Sequence, residues 1–359
     1  MAYPRILVDL DKLEQNVNRA ADLCHLRGQT FAAVTKCVCG ERHIVDRLRR
    51  TRCDWLADSR IENLIAMGPG EKPRLLLRAA QPWETDRVVA GCEYSMVSEP
   101  VTIALLAQSA RRLGIRHRVL LACDMGDLRE GCFFRDEAAV FSVAEAVLAE
   151  PSLELAGVAT NLGCYGGIRP CQTNLGGLAA IADVLRRRYD IALPVVSGGT
   201  SCTLRHLLTN LVPEGVNHFR MGECWLTGRD SATGTAQPGF YEDAFTLEAQ
   251  LIEVKTKPSR PIGPRGGDAF GHLVDYPDRG PMLRGICAVG KQDIDMEAIV
   301  PQDARVEILG GSSDHMLLNL NDAPEYRVGD IVRFTLRYGS ILRSFTGPYL
   351  EKCFPEADS

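Results

Sequence analysis

The stretch TFAAVTK, residues 30–36, places a lysine directly after a short apolar run. Continuous apolar runs are typical of strands that are buried on both faces of a parallel sheet. Comparable runs recur at residues 30–35, 54–57, 74–77, 94–97, 118–124, 155–160, 193–197 and 217–220, with helical patterns between most of them. Eight such units predict a (β/α)8 barrel, a TIM barrel. The alternative is an open doubly wound sheet, but no glycine fingerprint follows the first strand.

The pattern changes after about residue 230. Residues 244–254, 304–310 and 331–339 alternate apolar and polar side chains, which predicts half-solvated antiparallel strands. We therefore expect a barrel at residues 10–230 and a C-terminal antiparallel β domain formed by residues 231–359 together with residues 1–9. The fold class is α/β.

Composition excludes several classes of protein. The 359 residues are 45 % hydrophobic and 24 % charged, with a net charge of −5 and no run of basic residues. This argues against binding to nucleic acid or to an anionic membrane surface. No apolar stretch reaches the ~18 residues of a membrane span, and no signal peptide opens the chain. The 13 cysteines are scattered without a C-x-x-C pair, so we expect a cytoplasmic, thiol-reduced protein without a metal site.

Lys36 ends the first predicted strand, at the barrel end where chemistry occurs in this fold. It is either a solvated surface lysine or a partly desolvated one whose amine forms a Schiff base. SGGTS, residues 197–201, follows the seventh strand and precedes a helix. Glycines and a helix N-terminus suit a phosphate group, although an ordinary turn with Ser201 as a helix cap has the same pattern.

Two segments, VDLDKLEQNV (8–17) and VTK (34–36), resemble the opening of the alanine-racemase-like fold-type III family of pyridoxal 5'-phosphate (PLP) enzymes. CVCG, DSRIEN, LLR, DMGDLREG, SGGTS, RMGE and DAFG resemble, in order, the branch that contains ornithine racemase and predicted amino-acid racemases. The similarity runs from about Tyr3 to Lys352. It implies PLP held as a Schiff base on Lys36, and an isomerase that interconverts L- and D-amino acids by removing and returning the α-proton.

The resemblance also implies how the cofactor is held. Its phosphate would be bound in the Ser197 turn by Thr200 and Ser201 and by the backbone N–H groups of Gly222 and Glu223. Arg220 would donate to the pyridine nitrogen, and a permanent positive charge there keeps that nitrogen unprotonated.

Two further residues complete the expected cofactor site. Arg129 matches the family arginine that contacts the cofactor's phenolic oxygen and the substrate carboxylate. Pairing with Asp124, Asp127 or Glu130 is the alternative for this arginine. Asn161 stands where alanine racemase has a histidine beside the ring.

The second proton-transfer group departs from the family pattern. In alanine racemase it is a tyrosine from the β domain of the neighbouring subunit, and the best match here is Phe270, which cannot transfer a proton. A further tyrosine of the family is replaced by Gly40. Asp314 and His315, in GGSSDHM (310–316), are candidates, although that segment also suits a simple turn. If Asp314 completes a neighbour's site, the enzyme is a homodimer with active sites at the interface.

Two acidic residues indicate which kind of amino acid is the substrate. Glu223 replaces a residue that is usually apolar in alanine racemase, and Asp314 is a second acidic candidate near the substrate. Both favour a basic amino acid such as ornithine. The alternatives are a fold-type III D-amino-acid aldolase or decarboxylase, and a non-catalytic PLP carrier, which would lack the β domain.

Overall fold

The computed structural model describes residues 3–267, 270–273 and 275–355. The strands are β1 Arg5–Val8, β2 Thr30–Val34, β3 Trp55–Asp58, β4 Arg74–Leu76, β5 Tyr94–Val97, β6 His117–Asp124, β7 Cys132–Phe133, β8 Leu153–Ala159, β9 Val195–Ser197, β10 His218–Met221, β11 Phe245–Pro258, β12 Pro281–Cys287, β13 Ile299–Pro301, β14 Glu307–Gly311, β15 Met316–Asn319, β16 Ile331–Leu336 and β17 Glu351–Cys353. The helices are α1 Leu10–His25, α2 Arg42–Arg50, α3 Ile61–Met67, α4 Thr85–Gly91, α5 Pro100–Leu113, α6 Glu137–Leu148, α7 Gln172–Tyr189, α8 Leu204–Thr209, α9 Glu223–Thr227 and α10 Tyr338–Thr346.

The chain forms two compact units. One is Leu13–Tyr241, and the other joins the residues before Leu13 to those from Glu242 onward.

The first unit is a closed parallel barrel. Its strands pair in the order β5-β4-β3-β2-β10-β9-β8-β6, and β6 pairs with β5 to close the ring. The register places Arg220 opposite Ala32 and Ala159 opposite Ser197. The short β7 adds a parallel edge to β6. The (β/α)8 barrel predicted from the sequence is confirmed.

Side chains of different size fill the two ends of the barrel. Small residues such as Ala32, Ala57 and Ala122 pack in its interior. At the N-terminal end the ring of Trp55 lies 4.2 Å from that of Tyr94 and 4.8 Å from that of His218, measured between ring centroids. Each of these three residues is the first of its strand. Aromatic rings therefore occupy the N-terminal end and leave the C-terminal end for polar groups.

The second unit is built on an antiparallel sheet, as predicted. Its strands follow the order β13-β16-β11-β12-β15-β14, and β1 pairs antiparallel with β11 and parallel with β17. Glu248 on β11 is buried between two arginines, accepting from Arg5 Nε at 2.7 Å and from Arg333 Nε at 2.8 Å. In the described residues of both units, no helix has the length and apolarity to cross a membrane.

Candidate active site

The C-terminal ends of the barrel strands gather most of the residues singled out from the sequence. Parallel strands of a barrel end at the same face, so the segments that follow them meet there. The residues that follow or end strands β2, β6, β8, β9 and β10 are Lys36, Arg129, Asn161, Ser197, Thr200, Ser201, Arg220, Gly222 and Glu223. Asp314 and His315 lie in the other unit, between β14 and β15.

Lys36 is held at the start of a short 3-10 helix that follows β2. The hydroxyl of Thr35 donates to Asp58 Oδ2 at 2.7 Å, which fixes the backbone just before the lysine. Burial raises the pKa of the Asp58 carboxyl. The Lys36 side chain is half-buried, and its ammonium makes no hydrogen bond or ion pair with any residue that the structure describes. An amine at this position is available to a ligand.

The turn after β9 requires its two glycines. Gly199 has φ +127°, and a Cβ there would lie 2.5 Å from Thr203 Oγ1. A Cβ on Gly198 would lie 2.3 Å from Val216 Cγ1. The tight turn sets Thr200 and Ser201 at the barrel end, where a larger residue at either glycine would displace them.

Ser201 acts as a helix cap in this structure. Its Oγ accepts hydrogen bonds from the backbone N–H of Gly222 at 3.1 Å and of Cys224 at 3.2 Å. The N–H of Glu223, between them, has no hydrogen-bond partner among the described residues. Ser201 and the start of α9 therefore lie together, with one backbone donor still unsatisfied. An anion is the natural partner for such a donor.

Arg220 is buried at this end, with 2 % of its surface exposed. Nη2 donates to the carbonyl of Thr160 at 2.6 Å and to Asn161 Oδ1 at 2.9 Å, and Nη1 donates to the hydroxyl of Ser197. The buried Nε has no partner in the described part of the chain. Burial lowers the pKa of the guanidinium to about 10, and the like charge of Arg129 adds to this. One directed donor is left for a ligand.

A buried neutral histidine, His218, bonds to the serine that accepts from Arg220. Ser197 Oγ lies 2.6 Å from Nδ1 of His218. Burial, with the nearby charge of Arg220, lowers the pKa of His218 to about 3, so the imidazole is neutral at physiological pH. Because Arg220 donates to the Ser197 hydroxyl, that hydroxyl is left to donate its own proton to His218.

Arg129 pairs with its neighbour in sequence. Its Nη2 donates to Glu130 Oε1 at 2.5 Å and its Nε donates to Oε2. Hydrogen bonding to Glu130 raises the pKa of this arginine. Asn161 Nδ2 donates to the same Oε1. The sequence indicated Glu130 only as one possible partner of Arg129. The turn that follows Leu128, whose φ is +55°, brings the two side chains together, and the adjacent letters in DLREG give no sign of that turn.

Asp127 anchors the loop that follows β8. Its carboxylate accepts from the backbone N–H groups of Gly163, Cys164, Tyr165 and Ile168, at 2.9–3.2 Å. Burial opposes the charged form, but these four donors outweigh it and hold the pKa of Asp127 below its ordinary value. The sequence did not reveal this role. The four donors are backbone N–H groups, so they leave no motif in the sequence.

The acidic candidates differ in environment. Glu223 is half-buried, and burial followed by the nearby charge of Asp230 raises the pKa of its carboxyl. Asp314 is exposed and lies 2.9 Å from Nδ1 of His315, whose hydrogen bond lowers the pKa of the aspartate. Phe270 is half-exposed, with Lys291 Nζ 4.4 Å from its ring centroid. Asp268 and Ala269 of DAFG lie outside the described residues.

In the ranges that the structure describes, no three His, Cys, Asp or Glu side chains are grouped to hold a metal ion.

Comparisons with known proteins agree with the barrel fold. The family described as "Alanine racemase, N-terminal domain" matches residues 8–229. An ornithine racemase of Acetoanaerobium sticklandii is 40 % identical over 351 residues, covering 98 % of this chain and 99 % of that protein. A lysine racemase of Thermotoga maritima is 36 % identical over 356 residues, covering 99 % of each. The crystal structure of an alanine racemase from Streptomyces lavendulae superimposes with a TM-score of 0.75 at 16 % identity, covering 99 % of this chain and 98 % of that one.

Proposed function

Because this chain belongs to the alanine racemase N-terminal domain family, we propose that it is a PLP-dependent amino-acid racemase whose substrate is a basic amino acid, ornithine or lysine. The two full-length relatives act on ornithine and on lysine by their names, and both exceed one-third identity. The enzyme is then an isomerase with a small-molecule amino acid as its partner.

The residues at the barrel end fit PLP. The unpartnered Nε of Arg220 suits the ring nitrogen, which is an acceptor when unprotonated. The unsatisfied N–H of Glu223, with Thr200, Ser201 and Gly222 beside it, suits the phosphate. The Lys36 amine, which has no partner in the described chain, suits covalent attachment to the aldehyde. We propose Arg129 and Asn161 as contacts to the rest of the ring.

Bound PLP supplies an electron sink that makes the α-proton of an amino acid acidic. The protein's own residues then decide the outcome. Lys36 removes or returns the α-proton on one face of the α-carbon. The positive charge of Arg220 disfavours protonation of the ring nitrogen, because two adjacent cations repel. This limits the electron sink and favours simple return of the proton over side reactions.

The opposite face needs a second proton-transfer group. We propose that Asp314 or His315 of a second copy supplies it, in a homodimer with active sites at the interface. Histidine side chains commonly transfer protons near neutral pH, which favours His315 for this role. We further propose Glu223 as a counter-ion for the side-chain ammonium of the substrate, and Asp314 as a second counter-ion if it is not the proton-transfer group, since two acidic groups favour a dibasic amino acid over alanine.

The observation that carries this proposal is the buried Arg220 with its unpartnered Nε. Burying a guanidinium donor without a partner costs free energy, and at the C-terminal end of the barrel we propose that a bound ligand accepts from it.

The decisive experiment uses the purified protein reconstituted with PLP in deuterium oxide and incubated with single L-amino acids. We expect a yellow protein, exchange of the α-proton by NMR, and the D-form by chiral chromatography for ornithine or lysine. Lys36→Ala should abolish all three, whereas Lys255→Ala, an exposed lysine paired with Glu253, should change none. A yellow protein that exchanges nothing would refute a racemase and point to aldol cleavage, decarboxylation or cofactor carriage.

A further inference from the structure

One carboxylate serves two guanidinium groups at the barrel end. We define the arginine network as Arg129, Glu130, Asn161, Ser197 and Arg220, which are joined by consecutive hydrogen bonds. Among the residues that the structure describes, Glu130 is the sole carboxylate bonded within this network. Within the described part of the chain, Arg220 itself bonds only to neutral oxygens, namely two backbone carbonyls, a hydroxyl and an amide.

Glu130 determines which way the amide of Asn161 faces. Asn161 Nδ2 donates to Glu130 Oε1, and Asn161 Oδ1 accepts from Arg220 Nη2 at 2.9 Å. The reverse orientation would set the amide oxygen against a carboxylate and the amide NH2 against a guanidinium. The negative charge of Glu130 therefore fixes an acceptor for Arg220.

Glu130 also fixes Arg129. Both carboxylate oxygens accept from it, through Nε and Nη2, a fork that restricts the guanidinium to one plane. The nearby negative charge of Glu130 favours the charged form of buried Arg220, while the positive charge of Arg129 disfavours it. Without Glu130, two like charges would face each other with no carboxylate bonded between them.

We propose that Glu130 is a positioning residue, which holds Arg129 directly and Arg220 through Asn161 in the orientation that receives the cofactor ring. The inference rests on the proposed function, since it assigns the unpartnered Nε of Arg220 to the ring nitrogen of PLP. Nothing about Glu130 requires it to touch the substrate.

The test compares two ligands in Glu130→Gln. Glutamine keeps the side-chain shape but loses the charge, and its NH2 replaces one acceptor with a donor facing other donors. We expect PLP affinity, measured by fluorescence quenching in the absence of amino acid, to fall about tenfold, equivalent to the loss of one good polar contact. Affinity for inorganic phosphate, measured by calorimetry, should be unchanged or tighter, because the site has lost a negative charge.

A second variant separates orientation from folding. Glu130→Asp keeps the charge beside Asn161 without altering a residue that we propose as a cofactor contact, and its PLP affinity should lie closer to wild type than that of Glu130→Gln. Glu137→Gln, which removes an exposed charge at the start of α6, is the matched control and should leave both affinities unchanged.

Four results would overturn the inference. Equal PLP affinity in wild type and Glu130→Gln would contradict the inference but not the proposed function. A parallel change in the affinities for PLP and for phosphate would do the same. A PLP affinity of Glu130→Asp no better than that of Glu130→Gln would also contradict it. A wild-type chain that binds no PLP would overturn the proposed function and this inference with it.

Discussion

Thr35 donates its hydroxyl proton to Oδ2 of Asp58 over 2.7 Å, one residue before the lysine that ends the first barrel strand. Both residues are buried, and Asp58 Oδ1 also accepts from the N–H of Arg60 at 2.9 Å and from Asn63 Nδ2 at 3.0 Å. The bond ties the end of β2 to the end of β3. The position of Lys36 thus depends on a carboxylate that is itself shielded from water.

Replacing Thr35 by valine should therefore destabilise the fold and weaken cofactor attachment together. The change removes the donor and leaves part of a buried carboxylate unsatisfied, at a cost of about 2 kcal/mol. Thr35→Ser keeps the hydroxyl and should cost less than half of that. Urea unfolding measures the first effect and the absorbance of PLP-loaded protein the second. Equal stabilities for the valine and serine variants would contradict the role assigned to this bond.

Ser201→Ala should lower both stability and PLP affinity. The change leaves the N–H groups of Gly222 and Cys224 without their acceptor, at about 1–2 kcal/mol of unfolding free energy. We also propose the same hydroxyl as a phosphate contact, so PLP affinity should fall. Ser152→Ala is the control, because Ser152 donates to the carbonyl of Ala107 away from the C-terminal strand ends and should affect stability alone. If Ser201→Ala binds PLP like wild type, Ser201 is only a helix cap.

The barrel was predictable because its information is local and repetitive. Apolar runs such as residues 30–35 mark buried strands, and the number and spacing of these runs predict a barrel of eight strands. Placement of Lys36 and Arg220 at one end then followed from strand polarity. The sequence offered Glu130 only as one of three possible partners for Arg129. The bond from Asn161 to the same carboxylate was not predictable, since it depends on positive φ at Leu128 and on side-chain directions that spacing does not encode.

Glu223→Gln should alter the preference between substrates more than the rate. The half-buried carboxylate has no partner in the described structure, so a substrate ammonium would be its first counter-ion. We expect KM for ornithine and lysine to rise about tenfold with kcat nearly unchanged, as for loss of uniform binding. The KM for an amino acid without a side-chain charge should not rise. A matched loss for charged and uncharged substrates would place Glu223 in cofactor binding instead.

Subunit mixing tests whether Asp314 completes a neighbour's site. Lys36→Ala and Asp314→Asn should each be impaired alone, but a mixed dimer would contain one site with both native residues. Equal mixing after unfolding and refolding should restore about a quarter of the wild-type sites, because half of the dimers are mixed and each has one intact site. Absence of any recovery, with a dimer seen by light scattering, would mean that Asp314 serves its own subunit or neither.

Asp127→Asn should make the protein less stable at neutral pH and less sensitive to acid. The native carboxylate accepts four backbone N–H groups from the loop after β8, and these hold the pKa of Asp127 below its ordinary value of 3.8. A lowered pKa in the folded state means that the stabilisation is fully present above the unfolded pKa and is lost as pH falls through the folded pKa.

Asparagine offers one acceptor oxygen and sets an NH2 group against N–H donors. We therefore expect the free energy of unfolding to fall by about 2–3 kcal/mol at pH 7, and the difference from wild type to narrow below about pH 4. Urea unfolding across that pH range measures both. Asp183→Asn, an exposed i,i+3 partner of Arg186, is the control and should run parallel to wild type. A difference between Asp127→Asn and wild type that stays constant with pH would show that the loop is held by packing and not by the charge of Asp127.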